Sequence, residues 1–262
     1  MSPAQVLALA SGPVIVLLHV IWSVDRHREP FGNVFKYLLV GGATIWPAIV
    51  VETLALRAFG DPTSDPAHTP IPLLLVASVI GIGLVEELVK YLGLSFFARR
   101  DRHLDERFDW VVYAVTVSLG FALVENVKYV VDFGPEVAMP RALFAVPAHA
   151  LCGTLMGCRL ARAAGAGVGA TKQRVLALVE PALWHGVYDF LAFASSRAEE
   201  GQLPGSLFDA LFGLLVLLHW TRCVNQVRGL LVEGEPLPPV LYPLRGTKYA
   251  RRAGARSSKP DA

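Results

Sequence analysis

The sequence predicts an all-α, multi-pass membrane protein, and three observations carry that reading. Of 262 residues 53% are hydrophobic and only 18% charged, the mean hydropathy is +0.46, and the apolar residues collect in about seven stretches, each near the roughly 20 residues that span a bilayer. These are residues 4–24, 35–56, 71–98, 109–131, 141–160, 174–194 and 206–224. Together they predict one helical membrane domain over 1–237, followed by a basic tail, 238–262, expected to be disordered and cytoplasmic.

The first stretch has no positive residue ahead of it and runs into Asp25-Arg26-His27-Arg28, so it reads as a retained helix and not a cleaved signal. The second contains Trp46-Pro47, which predicts a kink, and Glu52, near enough to the helix end to snorkel. Orientation follows from the connections. Segments 25–36, 99–109, 159–174 and 222–262 hold 19 of the 24 Lys and Arg, whereas the alternate connections hold Arg57, Arg141 and Arg197. Basic residues stay on the cytoplasmic side, so the N-terminus is expected outside and the C-terminus in the cytoplasm. The net charge of +2 is then explained by topology, and the expected environment is the lipid bilayer, with no nucleic acid partner.

The third stretch holds Glu86-Glu87-Leu88-Val89-Lys90. A charged side chain near the bilayer centre costs at least ~2.5 kcal/mol, so three within five residues call for a use. Glu86 and Lys90 share a helix face in the favourable order, and Glu87 lies about 100° away, still near the inward sector. Two adjacent carboxyls in a poorly hydrated site do not both ionise easily, which lets one residue type supply an acid and a base. Gly81 and Gly83, one turn earlier, admit a close neighbour.

The fourth stretch places Glu125 and Asn126 at membrane depth; Lys128 could neutralise Glu125 structurally. The fifth carries Pro147-Ala-His149 and, three residues on, Cys152, which reads as a buried core thiol. The sixth carries His185-x-x-x-Asp189, where the i, i+4 spacing lets Asp189 orient the imidazole; Glu180, earlier on it, suits cytoplasmic arginines. Counting 1.5 Å per residue puts His149 and His185 near the midplane, with Glu125 nearer the outer side and Glu86 nearer the middle or inner side. His19 and His219 read as packing residues. The three cysteines form no disulfide framework.

Glu86-Glu87-x-x-Lys90, Phe121-x-x-x-Glu125 and His185-x-x-x-Asp189, in order on successive helices over about residues 80–195, resemble the PrsW intramembrane proteases. That family is grouped with the type II CAAX prenyl endopeptidases and the bacteriocin-processing or immunity proteins. The resemblance implies a bacterial cell-membrane endopeptidase making the first cut in a single-pass substrate such as an anti-sigma factor, with Glu86, Glu87 and His185 most directly tied to activity. The CAAX enzymes generally have histidine at the Glu125 position and asparagine at the Asp189 position. His149 is the expected source of the second imidazole.

The reaction expected is peptide hydrolysis by a water that Glu86 or Glu87 deprotonates, with Glu86 favoured by its spacing to Lys90. His149 and His185 would orient the water and stabilise the oxyanion, Lys90 would set the carboxylate charge and Asp189 would set His185. No cofactor is expected. If Zn²⁺ is used, Glu86, Glu125, His149 and His185 are the expected ligands, but no HExxH is present and Lys90 opposes a dication. The rivals are a proton- or ion-coupled transporter, which buried ionisable groups also mark, and a noncatalytic scaffold or immunity factor.

Overall fold

The computed structural model describes residues 3–25, 27–58, 60–201 and 204–233; the expected tail 238–262 lies outside the described residues. Seven long helices account for most of them: α1 (Pro3–Val24), α2 (Phe31–Ala58), α3 (Ile71–Ala98), α4 (Asp109–Phe133), α5 (Pro135–Gly165), α6 (Gly167–Ala194) and α7 (Gly205–Glu233). Helices α2 to α7 are long and apolar enough to cross a membrane, and α1 is apolar over the shorter length Ala8–Val24. This is a multi-pass, all-α membrane protein. Its outer surface carries large apolar side chains such as Ile15, Trp46, Leu54, Phe96 and Leu143, which suits contact with lipid and would be costly against water.

The bundle is built around α4, whose apolar stretch is 78% buried against 17% for the peripheral α7. Helices α1, α2, α3 and α5 pack on it, α6 packs on α3 and α5, and α7 covers α5 and α6. Small residues allow the close approaches. A Cβ on Gly83 would lie 2.6 Å from the Gly186 nitrogen and 2.7 Å from the Ala182 carbonyl oxygen, so α3 meets α6 backbone to backbone, one residue from His185. Gly81, by contrast, faces Leu56 of α2.

Two helices widen into π-type turns, Ala77–Gly83 in α3 and Arg141–Ala145 in α5. Each lies just before a polar motif of the third or fifth stretch. The α5 turn gives way to regular helix at Val146, directly before Pro147, whose missing N–H interrupts the regular hydrogen-bond ladder at that point. Such turns are rare and concentrate at functional sites. Pro47, expected to bend α2, sits inside a continuous helix.

Candidate active site

Where α3 to α6 meet, their polar side chains form one connected chain. Lys90 Nζ donates to Glu86 Oε2 and Glu87 Oε1, both at 2.9 Å, and contacts His149 Nδ1 at 3.1 Å. It is fully buried and lies 4.1 Å from the centre of the Phe121 ring, a favourable cation–π contact. On the far side of His149, Nε2 reaches Glu125 Oε2 at 2.8 Å, and Arg141 donates to the same oxygen at 2.6 Å and to Asn126 Oδ1 at 2.6 Å. His185 Nδ1 donates to Glu87 Oε1 at 2.9 Å.

The second nitrogen of His185 is less constrained. Nε2 stands 3.6 Å from Glu86 Oε2 and 3.5 Å from Asp189 Oδ2, too far for a good hydrogen bond. With Nδ1 donating to Glu87, Nε2 is left facing the carboxylate oxygens of Glu86 and Asp189, an arrangement suited to an N–H at that nitrogen. Beside it is a cavity of about 30 Å³ bordered by Glu125, Arg141, His149, His185 and Asp189 together with Tyr129 and Tyr188. That is room for at least one water. Glu87 Oε2 and Asp189 Oδ2 are buried with no hydrogen-bond partner.

Residues 29–220 match the family described as PrsW family intramembrane metalloprotease. A relative named Protease PrsW from Bacillus subtilis (strain 168) is 32% identical over 80% of this chain and 92% of its own length. Proteins of the same name from Geobacillus kaustophilus (strain HTA426) and Halalkalibacterium halodurans are 29% and 31% identical, over 90% and 74% of this chain and 97% and 86% of their own lengths. No solved structure matches. The chain belongs to the PrsW family. It is a multi-pass membrane protease.

A metal is implied by the family's description, and the donor types here suit one. Glu86, Glu87, His149 and His185 each offer a ligand atom, all within 4.8 Å of one another, and nitrogen and oxygen donors are what Zn²⁺ takes. The charge already present does not suit it. Lys90 Nζ lies at hydrogen-bonding distance from three of those four residues, so an ammonium and a dication would compete for one set of lone pairs. As arranged, the residues do not fit a metal beside a protonated Lys90. Glu125, expected among zinc ligands, is outside this group and engaged by Arg141 and His149.

The structure brings together all seven residues singled out in the sequence: Glu86, Glu87, Lys90, Glu125, His149, His185 and Asp189. Several expected pairings inside this PrsW-family cluster differ. Glu87 makes the short hydrogen bond to His185, at Nδ1, while Asp189 faces Nε2 at the longer distance of 3.5 Å. Lys90 does not choose between the glutamates, since i,i+4 and i,i+3 spacing on a regular helix lets it reach both. Lys128 pairs with Asp132 at 2.6 Å on the exposed side of α4 and leaves Glu125 alone. The depth offset between Glu86 and Glu125 is bridged by Lys90 and His149. His149 has both ring nitrogens engaged, so it links groups and has none left over for water.

Other expectations are met directly. Glu180 accepts from Arg159 and Arg222, both at 2.6 Å, Cys152 is buried with its thiol 3.6 Å from the Pro181 carbonyl, and His219 stacks on Trp184. Sequence reasoning missed Arg141, Tyr129 and Tyr188. Arg141 was counted as a connection residue, yet it is the partner of Glu125. The tyrosines carried a spacing signal, since Tyr129 is four residues after Glu125 and Tyr188 directly precedes Asp189. Glu52, expected to snorkel, is half-buried, with its Oε1 buried and without a hydrogen-bond partner among the described residues.

Proposed function

We propose that this protease cuts a membrane-anchored substrate by metal-free hydrolysis, with Glu86 as the general base. One observation carries the reading: His185 Nε2 and Glu86 Oε2 stand 3.6 Å apart without a hydrogen bond, and His185 also lines a water-sized polar cavity. Glu87 is fully buried and Glu86 4% exposed, which leaves Glu86 the better placed of the pair to meet water. Lys90 then holds the charge of both carboxylates, and Glu87 holds His185 with its Nε2 turned to the reacting water.

In the proposed sequence Glu86 takes a proton from that water as its oxygen attacks the scissile carbonyl carbon, and later returns the proton to the leaving amide nitrogen as the C–N bond breaks. The oxyanion is met by the hydroxyls of Tyr129 and Tyr188, residues that border the cavity and make no side-chain hydrogen bond among the described residues, and by the Arg141 guanidinium. One well-aimed donor is worth about 2.7–4 kcal/mol of barrier. Glu125 is eight residues from the Phe133 end of α4, or roughly 12 Å. The substrate is proposed to enter from that end, which the basic residues mark as extracytoplasmic. Entry there suits the first cut in a single-pass protein of a bacterial inner membrane, and an anti-sigma factor is such a substrate.

The test is reconstituted protein, chelated and analysed for metal, mixed with a tagged single-pass substrate. Fragment release should persist in wild type and vanish in Glu86→Gln and Glu87→Gln. Release that needs added Zn²⁺ would overturn the metal-free assignment, and undiminished release with both glutamates replaced would overturn the site.

A further inference from the structure

A second cavity, of about 260 Å³, opens at the opposite end of the same four helices. It lies between the last turns of α3 and α5 and the first turns of α4 and α6, and is lined by Tyr91, Ser95, Arg99, Trp110, Leu160, Ala163, Ala164 and Arg174. Its polar members are all hydrogen-bond donors, and two carry permanent positive charge. No carboxylate is among them. Each is also uncommitted: Tyr91, Ser95, Arg99 and Arg174 make no hydrogen bond or ion pair through their side chains among the described residues, and the Trp110 indole N–H is buried with no acceptor. Trp110 itself is only 7% exposed. A buried donor left unmade costs about 1–3 kcal/mol, so its acceptor is expected from outside the chain.

The other arginine pair near this face behaves differently. Arg159 and Arg222 close on Glu180, which uses up their charge. Arg99 and Arg174 have no such carboxylate, so their fields add over the cavity. Two guanidiniums that offer forked donors, a neutral N–H and two hydroxyls make the donor set of a tetrahedral oxyanion. The apolar remainder of the wall, Leu160, Ala163 and Ala164, suits the glycerol and first methylenes attached to a headgroup better than a bare ion in water.

We propose that this cavity is a phosphate-binding site, occupied by the headgroup phosphate of an anionic phospholipid. Its occupant would tie together the ends of all four helices that carry the catalytic cluster. Tyr91 follows Lys90 directly in the chain, so the site adjoins the catalytic chain through a single residue step of α3.

The experiment uses the full chain in neutral detergent and reads its thermal midpoint during separate titrations with phosphatidylglycerol, phosphatidylcholine and inorganic phosphate. Wild type should show a saturable rise with phosphatidylglycerol and a much weaker one with phosphatidylcholine, whose phosphate is offset by the attached choline cation. Arg99→Gln combined with Arg174→Gln should weaken the apparent Kd by about tenfold or more, as expected for losing charge-assisted contacts. Trp110→Phe, which keeps the ring and removes the donor, should weaken it about threefold to tenfold. Both arginines are exposed on helix ends, so the variants should fold; if the double variant does not, Trp110→Phe and Arg174→Gln alone decide. A saturable rise with inorganic phosphate equal to that with lipid, lost in the same variants, would support the phosphate site and assign it to a soluble ligand. An equal response to all three titrants, or equal affinity in wild type and variants, would overturn it.

Discussion

Buried carboxylates occur at two depths in this bundle, and they find their partners in different ways. At the basic face, Asp101 accepts from the His103 N–H at 3.0 Å, from Tyr37 at 2.9 Å and from Lys36. Asp109 there accepts the N–H groups of Asp105 and Glu106 at 2.9 and 2.6 Å. Mid-bundle, Glu86, Glu87 and Glu125 accept from Lys90, His185, His149 and Arg141 and from no backbone group. The cause is helical hydrogen bonding. Loops and helix starts have spare N–H donors, whereas the interior of a helix has none. A mid-membrane carboxylate can therefore be satisfied only by side chains of neighbouring helices, and those side chains can themselves move protons.

The first way to break the comparison is to remove charge from each region. Glu86→Gln should lower the rate of substrate cleavage in proteoliposomes by about 10²- to 10⁴-fold, the range of a lost general base, and Glu87→Gln should also lower it strongly by releasing His185. Asp109→Asn at the other depth should change that rate less than tenfold. Equal losses at the two depths would mean that both networks serve only folding.

The second uses stability. Lys90 is the shared donor of two buried carboxylates, and deleting one side of a buried ion pair costs about 3–5 kcal/mol. Lys90→Met should show that loss in equilibrium unfolding from mixed micelles. Adding Glu86→Gln and Glu87→Gln to the same chain should recover much of it, because no uncompensated charge then remains. A triple variant as unstable as Lys90→Met would assign the cost to packing against Phe121 instead.

The same difference explains what could be read from sequence. Membrane helices and the seven polar residues were legible because an apolar run makes any charge within it conspicuous. The partners were not. Helical spacing predicts neighbours along one helix, such as His185 with Asp189 or Glu125 with Lys128, but most decisive contacts here run between helices: Glu87 with His185, Glu125 with Arg141, Lys90 with His149. The wide turns of α3 and α5 have no sequence signature beyond glycine and proline. Arg141 was assigned to a connection because charge next to a helix end ordinarily meets water.

A smaller effect separates the depths by pH. Burial works against the charge of Asp101, but Lys36, the His103 N–H and Tyr37 outweigh it and hold the carboxyl below the usual range. A depressed folded-state pKa contributes stability that is present above the unfolded value, near 3.9, and is lost as pH falls through the folded value. Wild type should thus lose stability below about pH 4 more steeply than Asp101→Asn, which is weaker at neutral pH by about 1–2 kcal/mol. Cleavage at neutral pH should be unaffected. Parallel acid-unfolding curves for the two proteins would remove Asp101 from the account.

The smallest effect bears on which cation serves Glu125. Lys128 and Asp132 form a half-exposed pair one turn beyond it, and such pairs contribute about 0–1 kcal/mol. Arg141 is largely buried and holds both Glu125 and Asn126. Lys128→Ala should therefore leave unfolding midpoint and cleavage rate nearly unchanged, while Arg141→Ala should lower both, the rate by at least tenfold if its guanidinium also meets the oxyanion. Arg141→Lys separates those two roles. A lysine restores one charge to Glu125 but not the fork to Asn126, so recovery of stability without recovery of rate would place Arg141 in contact with the reacting carbonyl, and recovery of both would confine it to holding Glu125.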